Sequence, residues 1–329
     1  MFTKEIAGFA NSIVGGWGNL GGGVTQIVMG AVLFPLFKSF GMSSETSWRT
    51  VSIVPAVFAV GLAWIILKFS DDCPKGNYQE MQKIGIMQQV SATSSFRSGA
   101  YNFNTWLLFI HYGCCFGVEL TMNNLSALYF SEKFDLSVES AAAIASIFGF
   151  MNIFARPLGG YTSDLLNKKM GMRGRLYWQT VCLLIEGCMI FAFANVDNSL
   201  GGSIAILVVF STFVQAAEGS TYGIVPYVNP VATGSIAGIV GAGGNIGAVI
   251  FGFCFMNMSY KSGFYTMGGI IFASAGSTAL IRIKGHRGLF GGEDSIVVKA
   301  AWQGKETKEI DNTLIVPNQN DDASADVEE

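Results

Sequence analysis

Gly15-Gly16-Trp17-Gly18-Asn19-Leu20-Gly21-Gly22-Gly23, near the start of the chain, returns far downstream as Gly241-Ala242-Gly243-Gly244-Asn245-Ile246-Gly247. With Asn19 aligned on Asn245, the glycines four and one positions before each asparagine and two positions after it coincide. Both copies sit inside long apolar runs. Such runs recur at about 8–36, 50–69, 104–130, 138–162, 175–195, 202–225, 232–256 and 263–282, each long enough to cross a ~30 Å hydrocarbon layer at 1.5 Å per residue. They do not alternate as barrel strands do, and lipid offers backbone amides no partner, so helices are the spanning form. The expectation is an all-α membrane protein of eight transmembrane helices, A to H.

The two copies, on helices A and G, are six helices apart. Transporters are often built from two six-helix halves whose corresponding helices face one central site. Helix G is second from last in its block, and helix A is second from last before the long connection 70–103. This places A at position five and G at position eleven of twelve, so that the chain corresponds to helices 5–12 and four helices are expected to be missing from its front. The predicted organisation is two helices of a first bundle at 1–69, a central cytoplasmic loop at 70–103, a six-helix bundle at 104–285 and an acidic disordered cytoplasmic tail at 286–329.

Composition supports the membrane reading. Of 329 residues, 50% are hydrophobic and only 13% charged, about half the share of charge in a water-soluble protein. The net charge of −3 excludes a basic nucleic-acid binder, and the acidity belongs to the tail, since 293–329 holds ten acids and three bases. Five of the six cysteines (Cys114, Cys115, Cys182, Cys188 and Cys254, against Cys73) lie in apolar runs without a CxxC or a Cys/His pair, which suits small packing groups rather than a metal or disulfide framework. No nucleophile–base set, phosphate loop or cofactor motif is present, so an enzyme is not expected. The first apolar run is too long for a cleavable signal peptide.

Loop charges set the orientation. Lys168, Lys169, Arg173 and Arg175 follow helix D, and Arg282, Lys284 and Arg287 follow helix H. The positive-inside rule makes both loops, and with eight spans both termini, cytoplasmic. Lys38 and Arg49 between A and B argue weakly the other way.

Several polar residues stand in the apolar runs. Arg156, in Phe154-Ala155-Arg156-Pro157-Leu158-Gly159-Gly160-Tyr161, lies about 12 Å from Asp164 along a helix. A buried cation there is costly, and its planar fork suits a small oxyanion. The alternatives are an ion pair with Glu119, Glu186 or Glu218, or snorkelling to the inner surface. Pro157 breaks the helix beside it. Glu119 is read either as a structural partner or as a carrier of a coupling proton. Tyr112 either packs or offers its hydroxyl to a ligand, and His111 is a weaker proton carrier. The Gly/Asn clusters either let helices approach closely or bare backbone beside an amide that faces a ligand.

Together these residues resemble a known family. Gly-Trp-Gly-Asn in helix A, Gly-Ala-Gly-Gly-Asn in helix G, Phe-Ala-Arg-Pro-Leu-Gly-Gly-Tyr in helix D and Gly-Met-Arg-Gly-Arg at 171–175 are similar to the nitrate/nitrite porter family of the major facilitator superfamily, in particular its eukaryotic high-affinity nitrate transporters. The resemblance covers about 1–285. It implies a proton-coupled plasma-membrane importer of nitrate, with nitrite as a second substrate, working by alternating access. It carries substrate binding onto Arg156, Asn19, Asn245 and Tyr112, with Gly18 and Gly244 beside the asparagines, and a conformational latch onto Gly160, Asp164, Arg173 and Arg175. Glu119 is the candidate for proton coupling. The family's second arginine, on helix two, has no counterpart here, so the isolated chain is expected to transport little. No cofactor or metal is called for; the partners implied are nitrate or nitrite, protons and the lipid bilayer, and the need for an accessory subunit is left open. The rival readings are a carrier for another anion or a sugar, and a non-transporting regulatory membrane protein.

Overall fold

The computed structural model describes residues 6–72, 76–85, 91–196 and 198–295. Among them the chain is helical, without a strand. Helix α1 (Ala7–Thr25) runs through a π-helical stretch, Gln26–Leu33, into α2 (Phe34–Ser39). After a turn at Gly41, α3 (Ser44–Val51) leads to α4 (Ile53–Phe69). Ser43 starts α3 as an N-cap, its hydroxyl accepting from the Thr46 amide at 3.1 Å, which satisfies one of the orphan donors of the first turn. The run predicted at 50–69 therefore begins six residues earlier than its apolar core.

The connection 70–103 is helical in parts. It contains the short helices α5 (Tyr78–Lys83) and α6 (Ala92–Ala100). Helix α6 is docked: Ser95 shares a 2.8 Å hydroxyl bond with Ser235, and Ser98 accepts from Asn229 at 2.9 Å. Cys73 lies outside the described residues.

The second block comprises α7 (Phe103–Phe134), α8 (Val138–Phe150), α9 (Ala155–Met170), α10 (Met172–Asn195), α11 (Leu200–Val228), α12 (Thr233–Asn257) and α13 (Tyr260–Ser277). Helix D of the sequence reading is α8 and α9, joined by a 3₁₀ turn at Met151–Ile153. The break falls where Pro157, lacking an N–H, cannot bond the carbonyl four residues back. Helix α9 runs past Asp164 to Met170, where Lys168 and Lys169 meet the negative helix end and Gly171, at φ 64°, turns the chain. Asp164 is therefore an interior residue of α9.

Among the described residues, six stretches are long and apolar enough to cross a membrane, by length and composition: Ala7–Ser39, Ser44–Phe69, Val138–Met170, Met172–Asn195, Leu200–Val228 and Pro230–Asn257. Helices α7 and α13 are long enough but not apolar enough for that set, since polar residues such as His111 and Glu119 interrupt α7 and Lys261 and several serines interrupt α13. The predicted number was eight.

Packing holds the bundle in two ways. Phe130, Phe193, Phe264 and Tyr129 form an aromatic cluster with centroids 5.2–6.3 Å apart. Glycine seams do the rest, since lipid tails remove the hydrophobic drive between helices and close backbone contact replaces it. Gly113 and Gly117 of α7 face Gly243 and Gly247 of α12 so closely that a Cβ on Gly117 would stand 2.9 Å from the Gly247 backbone. By contrast, no residue of α4 is buried. Residues 286–295, expected to open a disordered tail, instead fold back in a turn: Leu289 is buried, Arg287 donates its amide to Asp294 at 2.9 Å, and the His286 ring meets Tyr227. The apolar side chains of Ile281, Ile283 and Leu289 draw this segment into the core. The remainder of the tail, 296–329, lies outside the described residues.

Candidate functional site: a buried arginine among carboxylates

The break before α9 delivers Arg156 to the centre of the helices around it. Its side chain is buried, and Nη1 donates to Oε2 of Glu218 on α11 in a buried ion pair. Nη2 donates to the Tyr112 hydroxyl on α7 at 2.9 Å. Nε is buried without a hydrogen-bond partner among the described residues. One face of the guanidinium rests on Gly15 of α1, where no side chain stands in the way. Tyr112 is itself held, stacked on Phe116 and meeting Tyr222 edge-on, both with centroids 5.0 Å away.

Asn19 of α1 joins the same cluster. Its Nδ2 donates to Glu119 Oε2 at 3.3 Å and to Glu218 Oε2 at 3.5 Å. Glu119 Oε1 accepts from Asn152 Nδ2 at 2.8 Å, so both of its oxygens have amide donors. Glu218 Oε1, by contrast, has no partner among the described residues. One guanidinium, two carboxyl groups, two amides and a phenol thus converge, with Arg156, Glu119, Glu218 and Asn152 all buried. A buried charge survives only with partners of this kind. Such a cluster can exchange one anionic partner of the arginine for another.

The predicted site residues therefore divide. Arg156, Tyr112, Asn19 and Glu119 are brought together. Asn245 is not among them: it sits on the exposed side of α12 and donates to its own helix, at Gly241 O, 3.3 Å away. Gly18 is exposed, with open space beside it. Gly244 is buried under Phe116, whose ring stands where its Cβ would be. The two glycine clusters, alike in sequence, thus do different work: that of α1 lies over Arg156, whereas that of α12 packs on α7. Glu218 was one of three partners proposed for Arg156 and Gly15 was quoted as part of a repeat; Asn152 and Tyr222 carried no signal beyond being polar in an apolar run. A cleft of about 480 Å³ between α7 and α12, lined by Thr121, Leu125, Gly252 and Tyr260 among others, holds none of these groups.

The latch residues form a second buried cluster. Asp164 Oδ1 pairs with Arg175 Nη2 at 2.7 Å and accepts from Gly8 N at 3.2 Å, while Oδ2 accepts from Phe9 N at 2.7 Å. Its carboxylate caps the positive N-terminal end of α1. Arg175 also donates to Ser163 at 3.1 Å and lies 5.2 Å from the centre of the Tyr227 ring. Gly160 lets α9 approach α1, since a Cβ there would overlap Ser12 and the Gly8 carbonyl. Arg173 is half-buried and stands outside the cluster.

Residues 1–251 match the family model of the Major Facilitator Superfamily. The chain is 38% identical over 315 residues to the high affinity nitrate transporter 2.5 of Arabidopsis thaliana, covering 93% of this chain and 62% of that protein. It is 41% identical over 276 residues to the high-affinity nitrate transporter 2.3 of Oryza sativa subsp. japonica, covering 83% and 53%. With the nitrate/nitrite transporter NrtP of a Picosynechococcus it shares 42% over 139 residues, covering 41% and 25%. The chain spans about half to three-fifths of the length of the first two relatives.

Proposed function

The chain belongs to the major facilitator superfamily, a family of transporters rather than enzymes, and from that premise we propose that it carries nitrate, with nitrite as a second substrate. Arg156 holds the anion, Tyr112 and Asn19 flank it, and movement through the protein is by alternating access. The observation that carries this reading is a buried guanidinium set among hydrogen-bonding groups in an apolar helical bundle. Nitrate is small, planar and weakly hydrated, so a guanidinium fork can replace its water with paired donors. Relatives named as nitrate transporters point the same way.

The remaining parts of the proposal follow from the helices. Helices α7 and α13 cross the membrane along with the six apolar stretches, giving eight spans, two in the first bundle and six in the second. Both termini are then cytoplasmic and the protein sits in the plasma membrane. Asn245 and Gly18 line the pathway rather than the arginine itself, and Gly244 acts on substrate binding by seating Phe116 against Tyr112. Asp164, Arg175 and Gly160, with Arg173 nearby, act as a latch between α1 and α9–α10. Uptake is coupled to protons through the carboxyl groups beside Arg156, for which Glu119 is the candidate read from sequence.

The test is anion binding by the purified chain in lipid nanodiscs, followed calorimetrically with nitrate and competed with nitrite, chloride, phosphate and glucose. Nitrate and nitrite should bind and compete, and Arg156→Lys, which keeps the charge but loses the fork, should weaken nitrate by at least about tenfold. Preference for chloride, phosphate or glucose over nitrate would sink this assignment.

A further inference from the structure

The partner of Arg156 in this structure is not an anion from solution but the protein's own Glu218. Whatever binds the guanidinium must therefore deal with that carboxyl group first. We propose that Glu218 and the transported anion alternate on Arg156, and that the proton which moves with the anion is the one that neutralises Glu218 when the ion pair opens. The inference rests on the anion-carrier reading above and assigns its coupling proton to Glu218 rather than to Glu119.

Geometry separates the two acids. Amide N–H groups of Asn152 and Asn19 point at both oxygens of Glu119, at 2.8 and 3.3 Å, so a proton added there would weaken an amide hydrogen bond already made. Glu218 Oε2 takes the Arg156 Nη1 proton donor and stands 3.5 Å from Asn19 Nδ2, whereas Oε1 is buried and unpartnered among the described residues. Oε1 is thus the open position. Other titratable groups face Glu218 from the elements packed on α11: Arg156 from α9, Tyr112, Cys115 and Glu119 from α7, Glu186 from α10, and Tyr222 from its own helix. Helices α1 and α12 carry no charged residue. In α8 the only acid is Glu139, in the first turn, roughly 14 Å along the axis from Phe148, whose carbonyl accepts from Gln215 of α11.

The step balances. A proton from water on the side to which the site is open adds to Glu218, forming an O–H bond, and the charged pair with Arg156 Nη1 becomes a weaker neutral contact. The guanidinium then turns its donors to the oxygens of the entering anion. Before the exchange the cluster holds one cation and two carboxylates; afterwards it holds one cation, one carboxylate, one carboxylic acid and the bound anion. Its net charge is unchanged. That matters in a low-dielectric bundle, where adding an uncompensated charge is costly. Proton and anion binding are then mutually favourable, and by linkage each strengthens the other by the same factor.

The experiment uses the full chain in nanodiscs, in weakly buffered solution with a pH indicator. Adding nitrate should draw about one proton per anion bound, and nitrate affinity should fall about tenfold per pH unit wherever Glu218 is ionised in the anion-free protein. Glu218→Gln should bind nitrate without proton uptake and with a pH dependence of less than about twofold. Glu119→Gln should change the affinity but still take up one proton, and Glu186→Gln should take up one proton at unchanged affinity. On the wild-type chain alone, the nitrate-minus-free infrared difference spectrum should gain a carboxylic-acid C=O band, a signal independent of whether any variant folds. Nitrate binding without proton uptake, or uptake that survives Glu218→Gln, overturns the inference. Proton uptake through Glu218 driven by chloride or phosphate but not by nitrate overturns the nitrate reading and leaves this one standing. Failure of all three anions to bind overturns both.

Discussion

Gly15 of α1 lies flat against the guanidinium of Arg156: a Cβ built on it would stand 2.7 Å from Nε, 2.8 Å from Cζ and 2.9 Å from Nη2. A methyl group at this position must push the arginine or the helix away. Gly15→Ala should therefore cost about 1–3 kcal/mol and weaken nitrate binding at least tenfold, while Gly18→Ala, with open space beside it, should change neither by more than about 0.5 kcal/mol. Thermal midpoints and nitrate isotherms in nanodiscs check both. Equal effects of the two substitutions would show that the backbone of α1 does not shape the arginine site.

The asparagines of the two glycine clusters should separate in the same way. Asn19→Ala removes the amide shared by Glu119 and Glu218 and leaves the buried Glu119 Oε2 without its donor, a loss of about 1–3 kcal/mol. Asn245→Ala removes a bond to its own helix on an exposed side and should be nearly neutral for stability, within about 0.5 kcal/mol. The thermal midpoint of each variant decides the matter, and a larger loss at Asn245 would contradict the geometry.

Asp164→Asn should be strongly destabilising. Asp164 compensates buried Arg175 and caps the Gly8 and Phe9 amides in the first turn of α1, and removing one charge strands the other, at a cost of about 3–5 kcal/mol. Replacing Asp164 and Arg175 together, with Asn and Met, should recover more than half of that loss. Double-mutant coupling measured by thermal unfolding is the readout; additive losses would mean that the pair is not a unit.

The seam between α7 and α12 should tolerate no side chain. Gly117→Leu and Gly247→Leu must each separate backbones that now touch, and each should lower stability by about 1–3 kcal/mol or more. Gly252→Leu, on the same helix with nothing beside its Cβ, is the control. Protein yield and midpoint after detergent extraction report the difference.

Much of the architecture was legible because it is local. Apolar run length marks helices that lipid demands, Pro157 marks a break that appears at Met151–Ile153, and a lone Arg156 in such a run marks a group in need of partners. Two features were not legible, for a reason equally physical. Asp164 is charged and yet interior to its helix, because its charge is met by Arg175 and by the α1 amides from 155 and 156 residues away. Residues 286–295 lead into an acidic stretch and read as part of its tail, yet Leu289 has a place in the core.

By itself, the sequence determined that the chain is a helical membrane bundle, that its arginine is out of place in lipid, and that a Gly/Asn pattern occurs twice. Tertiary structure alone decided which of three acids meets Arg156, that Gly15 underlies it, and that only one of the twin asparagines enters its cluster. Helix length and polarity are set by neighbours within a turn or two, so they can be read along the chain. Partner choice is set by which helix faces are pressed together. Glu218 pairs with an arginine 62 positions earlier and stands beside an asparagine 199 positions away, separations over which no periodicity in the chain carries information.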